Sequence, residues 1–186
     1  MTLLDSLLLK YGSDKTQLIN HGYGAFYDFL FRQNRFGVKK MLEVGIGFPE
    51  TMSMVKDYKR GASLYAFRDF FPNAEIHAID IREDTLFQDE RILTYKCDQS
   101  QPDQLRSLAD KIGEIDIVIE DGSHLKEHQV ISCITLLPFV KQWYIIEDVS
   151  APDWVQGQLA LVGIESDVVT FNPWAPDDRL IIIQKK

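Results

Sequence analysis

Cysteine is scarce in this sequence: only Cys97 and Cys133 occur in 186 residues, with no CxxC or metal-ligand spacing around either. A disulfide framework and a thiolate metal site are therefore not expected, and two buried free thiols are. Basic charge is also short. Twenty Lys and Arg stand against 28 Asp and Glu, a net charge of −8, and no stretch gathers cations into a face that could neutralise a row of phosphates. A nucleic-acid partner is excluded on that ground. Long apolar runs are missing too: Leu3-Leu4 and Leu7-Leu8-Leu9 are separated by Asp5, too short to span a bilayer and without the basic start of a signal peptide. The expectation is a soluble cytoplasmic protein with no membrane partner. No internal repeat or low-complexity linker divides the chain, and its length with 45% apolar residues suits one domain over residues 1–186. Whether copies assemble into a homo-oligomer is left open.

What is present is a period that switches repeatedly between helix and strand, the pattern of an α/β sheet flanked by helices. Helical spacing covers Leu3 to Tyr11 and Gly24 to Arg35, so two helices precede the first strand, Lys40 to Gly45. After a long loop, Ala62 to Phe71 reads as helix, Pro72-Asn73 breaks it, and Glu75 to Asp80 and Arg91 to Cys97 read as strands. Pro102 to Lys111 is helical. The unbroken apolar run at Ile115 to Glu120 suits a strand covered on both faces, near the sheet centre. A helix from His124 to Leu137, a strand from Trp143 to Glu147, and two last strands, Asp167 to Phe171 and Arg179 to Gln184, complete the reading. The short, turn-rich stretch Asn172 to Asp178 predicts that the last two pair antiparallel.

Sheets of this kind bind ligands beyond the carboxyl ends of their strands, and several of those ends are acidic here. The first runs into Glu43-Val44-Gly45-Ile46-Gly47, where Gly45 and Gly47 let backbone approach a ligand; the same GxG also serves as a tight turn with no ligand at all. The third glycine of the dinucleotide fingerprint is absent, which counts against NAD or FAD. Asp80 stands where a carboxylate can accept hydrogen bonds from ribose hydroxyls, or can cap a helix. Asp98-Gln99 could pair with an adenine edge, or Asp98 could cap the following helix. Three such ends suggest a nucleoside ligand.

Glu120-Asp121-Gly122-Ser123-His124 after one strand and Glu147-Asp148 after the next would converge if those strands are neighbours. Converging carboxylates repel unless a cation or protons intervene, and hard oxygen ligands suit Mg²⁺, Mn²⁺ or Ca²⁺. Capping of turns by Asp121 and Asp148 is the plainer alternative. His124, three positions after Asp121, could face the same cavity and exchange a proton near neutral pH. His124 and His128 also form an HxxxH pair, but no Glu follows the first and the zinc ligand count is incomplete.

From Tyr11 to Val149 the chain resembles the metal-dependent sugar O-methyltransferases of macrolide biosynthesis, of the mycinamicin and tylosin type, and the related rhamnosyl O-methyltransferases. The resemblance runs through Tyr11-Gly12-Ser13-Asp14-Lys15, His21-Gly22-Tyr23, Leu42 to Gly47, Gly61-Ala62-Ser63-Leu64, Asp98-Gln99-Ser100, Asp121-Gly122-Ser123-His124 and Ile146-Glu147-Asp148. It implies a Rossmann-like class I methyltransferase fold: a mostly parallel seven-stranded sheet with an antiparallel last strand and helices on both faces. It also implies S-adenosylmethionine held at Tyr11, Ser13, Glu43, Gly45, Gly47, Ser63, Asp80, Asp98, Gln99 and Asp121, with the helical segment of residues 1–36 covering it. Mg²⁺, or Mn²⁺, would be held by Asp121, Glu147 and Asp148, and His124 would be the general base. The acceptor implied is a small hydroxylated molecule, a sugar or glycoside, as in antibiotic biosynthesis. Against the larger members, an upstream auxiliary domain is missing and Ser150 to Gly163 is short where substrate-covering elements would be expected; the loop from Phe48 to Arg60, with Met52, Met54 and Tyr58, is a candidate lid in their place, or an ordinary surface loop. Two other readings remain: a non-catalytic adenosine-binding domain, and an NAD-dependent oxidoreductase.

Overall fold

The computed structural model describes residues 1–48 and 59–185, so most of the candidate lid, with Met52, Met54 and Tyr58, lies outside the described residues. Strands β1 (Lys40–Val44), β2 (Glu75–Asp80), β3 (Gln88–Asp89), β4 (Ile92–Lys96), β5 (Ile115–Glu120), β6 (Val140–Ile146), β7 (Asp167–Thr170) and β8 (Arg179–Gln184) form one sheet. Its order is β3-β4-β2-β1-β5-β6-β8-β7. The five strands from β4 to β6 run parallel, β8 and β7 join antiparallel as the turn between them predicts, and β3 closes the other edge antiparallel to β4. The expected count of seven is thus corrected to eight. The additional strand pairs only Gln88 with Leu93 and Asp89 with Ile92, too few residues to show a period in sequence.

Helices α1 (Leu3–Tyr11), α2 (Tyr23–Phe31) and α3 (Ala62–Phe70) cover one face, and α4 (Pro102–Ile112), α5 (Lys126–Leu136) and α6 (Pro152–Leu161) the other. Alternate strand residues serve the two layers. Met41, Ile76 and Ile117 pack with Leu8, Tyr27 and Phe67, while Leu42, Ile79 and Val118 pack with Leu105, Cys133 and Leu159. All six residues of β5 are buried, as a strand covered on both faces requires. Cys97 and Cys133 are buried free thiols, although Cys97 lies one residue past β4 rather than on it. Sequence reading assigned no helix to α6; Pro152 at its first turn marks the start, and Val155 and Leu159, four apart, are its buried residues. None of the described helices is long and apolar enough to cross a membrane.

α1 starts at Thr2, whose side chain accepts the Asp5 amide, and stops at Gly12 in the left-handed region at φ 76°. The stretch from there to α2 is tied back onto the helices. Asp5 Oδ1 accepts the Thr16 hydroxyl at 2.7 Å, and the Gly24 amide donates to the Lys15 carbonyl at 2.8 Å. That stretch therefore lies across the carboxyl ends of β1, β5 and β6. Between β1 and β5 the strand order reverses, and a crevice opens there in sheets of this type.

Candidate active site

A cavity of about 780 Å³ occupies that crevice. Glu43, Gly45, Gly47, Ser63, Asp80, Asp98 and Gln99 line it on the side of β1, β2 and β4, and Asp121, His124 and Asp148 on the side of β5 and β6. Ser13, Asp14, Lys15, Asn20 and His21 cover it from the stretch between α1 and α2, and Asn172, Ala175, Asp177 and Asp178 from the β7–β8 connection.

On the first side, Glu43 is buried and accepts the Ser63 hydroxyl at 2.8 Å. Burial pushes its carboxyl up to about 7 in spite of Lys15 nearby. Gly45 has φ 98°, and a Cβ there would stand 2.1 Å from the Asp121 carbonyl oxygen, so only glycine fits between β1 and β5. Asp80 accepts the amides of Ile46 at 3.1 Å and Arg82 at 2.9 Å, which fastens the glycine turn to the end of β2. Asp98 Oδ1 accepts the Ser100 amide and hydroxyl at 2.9 and 2.7 Å, ahead of α4 rather than as its N-cap, which is Gln101. Gln99 is buried, donates to Glu120 Oε1 at 2.8 Å and accepts the Ser123 amide at 2.7 Å, so its amide sets the loop that carries Asp121 and His124.

On the second side, Asp121, His124 and Asp148 each offer a ligand atom, all within 4.8 Å of one another. His124 does not begin a helix. α5 starts at Lys126, and His124 precedes it in the left-handed region at φ 56°, which corrects the expectation of a helix from His124. Asp148 has φ 52°. Two non-glycine residues in that region beside one cavity are the kind of backbone outlier that clusters at functional sites. His124 Nε2 stands 3.1 Å from Asp121 Oδ1 and 3.8 Å from Asp148 Oδ2. Asp148 Oδ1 also accepts the Tyr23 hydroxyl at 2.7 Å, and Tyr23 stacks on His21, whose Nδ1 lies 3.1 Å from Asp178.

The hydrogen bond that His124 donates to Asp121 lifts the imidazole to about 9 against its burial. Burial would raise Asp121, but Lys15 and His124 hold its carboxyl well below the usual range. Two hard carboxylates and an imidazole at this separation fit a divalent cation of the Mg²⁺ or Mn²⁺ kind.

Two expected site residues lie elsewhere. Tyr11 is not on the cavity wall; its hydroxyl donates to Asp69 at 2.6 Å and its ring stacks on Tyr65. Glu147 is buried behind the cluster, accepting the Tyr27 hydroxyl and the Lys15 ammonium, each at 2.6 Å. Glu147, the first residue past β6, meets Tyr27 of α2, while the left-handed backbone at Asp148 leaves that side chain on the cavity. The residue that sequence reading missed is Lys15. It was read only as part of the Tyr-Gly-Ser-Asp-Lys stretch, yet it is buried between Asp121 and Glu147, with Glu43 at 3.5 Å. Burial opposes its charge, but the three carboxylates hold it well above the usual lysine range. The available signal was an imbalance: acidic strand ends on three strands require a cation among them.

No family model matches the chain. It is 35% identical over 153 residues, 81% of its length, to 8-demethyl-8-alpha-L-rhamnosyl tetracenomycin-C 2'-O-methyltransferase of Streptomyces olivaceus, covering 39% of that protein. With demethylmacrocin O-methyltransferase of Streptomyces fradiae it shares 36% identity over 139 residues, 72% of this chain and 33% of the other. The chain thus spans little more than a third of the length of these curated relatives. Among solved structures, MycE methyltransferase from the mycinamycin biosynthetic pathway, in complex with Mg, SAH and mycinamycin VI, superposes with a TM-score of 0.76 at 25% identity, over 97% of this chain and 53% of that one.

Proposed function

We propose, from the premise that this chain is a relative of the sugar O-methyltransferases and carries their Rossmann-like class I methyltransferase fold, that it moves a methyl group from S-adenosylmethionine to a hydroxyl of a small sugar or glycoside, with a divalent cation at the acidic cluster. The observation that carries the reading is one cavity in which Asp121, His124 and Asp148 stand beside the acidic ends of β1, β2 and β4. Residues 1–186 act here as one methyltransferase domain, with the stretch before β1 as its cover.

Each residue then has a task. Asp80 accepts from ribose hydroxyls, Asp98 and Gln99 border the base, and Glu43 with Ser63 and the backbone of Gly45 and Gly47 faces the amino-acid end of the methyl donor. Ser13 lies on the covering side. Asp121 and Asp148 hold the cation with His124 beside them; Glu147 supports Asp121 from behind through their common partner Lys15. A divalent ion held by Asp121 and Asp148 would supply Lewis acidity to an acceptor hydroxyl and would offset the carboxylate charge that otherwise keeps His124 protonated. His124 then accepts the hydroxyl proton at its ring nitrogen. The wall of the cavity keeps the acceptor oxygen in line with the methyl and excludes water, so positioning supplies much of the rate.

Thermal melting with S-adenosylhomocysteine, S-adenosylmethionine or NAD, each with and without Mg²⁺, tests the reading. Stabilisation by the two adenosyl ligands, and methylated product by mass spectrometry when Mg²⁺ and glycosides are supplied, are expected. Stabilisation by NAD alone would sink it.

A further inference from the structure

Four carboxylates, Glu43, Asp121, Glu147 and Asp148, meet at the ends of β1, β5 and β6, and one lysine is buried among them. The Lys15 ammonium is 3% exposed and touches three: Glu147 Oε2 at 2.6 Å, Glu43 Oε1 at 3.5 Å, and Asp121 Oδ2. Its surroundings are those of a bound cation, several carboxylate oxygens from different strands converging on one positive centre. Asp121 is shared. Its Oδ2 meets Lys15, while its Oδ1 faces His124. The backbone that delivers Lys15 is fixed on both sides, by the Thr16 hydroxyl on Asp5 and by the Gly24 amide on the Lys15 carbonyl at 2.8 Å.

We infer that Lys15 is the resident cation of a second cation position in this site, bridged by Asp121 to the position that takes the divalent ion. It offsets one of the four charges permanently and occupies the space that another metal ion would otherwise fill, so the site takes a single divalent ion. It is a positioning residue: its ammonium is taken up by Asp121, Glu147 and Glu43, and it holds the Asp121 side chain from the side away from His124. The inference rests on the proposed cation-holding role of Asp121 and Asp148.

Its consequence is a change in metal dependence that loss of packing alone does not produce. Lys15→Met keeps an unbranched side chain close to the same length and removes the charge, leaving Glu43, Asp121 and Glu147 without the lysine's positive charge. A cation from solution then has more to offset. The rise in melting temperature when Mn²⁺ replaces EDTA is expected to be about 5 °C or more larger in Lys15→Met than in the unaltered protein. In Lys15→Met/Glu147→Gln one carboxylate charge leaves with the ammonium, and the response is expected to return toward that of the unaltered protein. An equal or smaller Mn²⁺ response in Lys15→Met overturns the inference. If Lys15→Met is insoluble with and without Mn²⁺, the double variant decides: recovery of soluble protein supports the charge role, and continued insolubility overturns it. A protein with its own Lys15 that shows no response to Mn²⁺ sinks the proposed cation-dependent reaction instead, while the larger response of Lys15→Met remains the measure of this inference.

Discussion

His124 Nε2 stands 3.1 Å from the Asp121 oxygen that faces the cluster, and that contact raises the imidazole to about 9. An imidazole so held donates to Asp121 at neutral pH and accepts nothing. Since a cation on Asp121 and Asp148 repels the ring proton, Mg²⁺ should lower that value. In protein treated with EDTA, NMR titration of His124 should find its midpoint near 9, and saturating Mg²⁺ should move it down; a midpoint that stays fixed would remove Asp121 from the cation's ligands. Substitution His124→Ala should lower kcat by about 10²- to 10⁴-fold, the range for loss of a general base, with calorimetry showing S-adenosylhomocysteine affinity unchanged. Retained activity would make His124 structural. At this scale the sequence was informative about which residue types gather and uninformative about their aim. Asp121, His124 and Asp148 follow strands and could be placed by counting, whereas Lys15 meets Asp121 and Glu147 across 106 and 132 positions, and nothing local records such a pairing. Tyr11 was misplaced for the same reason, its hydroxyl being taken by Asp69, 58 positions away.

At the scale of elements, the glycine turn after β1 packs strand, cavity and neighbouring strand closely together. Gly45 donates its amide to the Ile79 carbonyl at 2.8 Å and leaves no room for a side chain against Asp121. Gly45→Ala should therefore cost about 1–3 kcal/mol through its positive φ and should displace the loop that carries Asp121. Urea unfolding would give the stability change, and weaker Mn²⁺ binding in the folded variant would show the displacement; unaltered values in both would mean the turn relaxes freely. Strands such as β5 and helices such as α1 were legible because burial on both faces or at every third and fourth position leaves a period in the residues. β3 was not, being two residues long. The start of α5 was misjudged because His124 and Leu125 continue its apolar and polar spacing while the backbone at His124 turns left-handed, a conformation that residue spacing does not record.

For the whole molecule, Glu43, Glu120 and His124 make stability fall as pH rises toward about 9. Burial pushes Glu43 and Glu120 up to about 7 from 4.5, and the Asp121 hydrogen bond raises His124 to about 9 from 6.5. Each folded value exceeds the unfolded one, so the stability these groups contribute is complete below the unfolded values and is lost as pH rises through about 7 and then about 9. The melting temperature in EDTA should fall from pH 6 to pH 9, and Mg²⁺ should raise it more at pH 9 than at pH 6, because the ion competes with protons for the same charge. A profile that is flat or rises across that range would contradict the burial of these carboxylates. The doubly covered sheet was legible at this scale from the alternation of periods alone. How the connection between β7 and β8 closes over the cavity was not, since its turn residues announce a turn and give no address.

That connection reaches back to the stretch between α1 and α2: Asp178 meets His21, and the two lie 157 positions apart in the chain. During synthesis, at about 5–20 residues per second, Asp178 leaves the ribosome on the order of ten seconds or more after His21. The parallel core from β1 to β6 can assemble in that interval, but Asp148 and Tyr23 are then uncovered on the side that the β7–β8 connection later occupies. The cavity is thus completed last, by a piece that arrives after the sheet beneath it, and a ribosome stalled before β8 would display a formed sheet with an open acidic site.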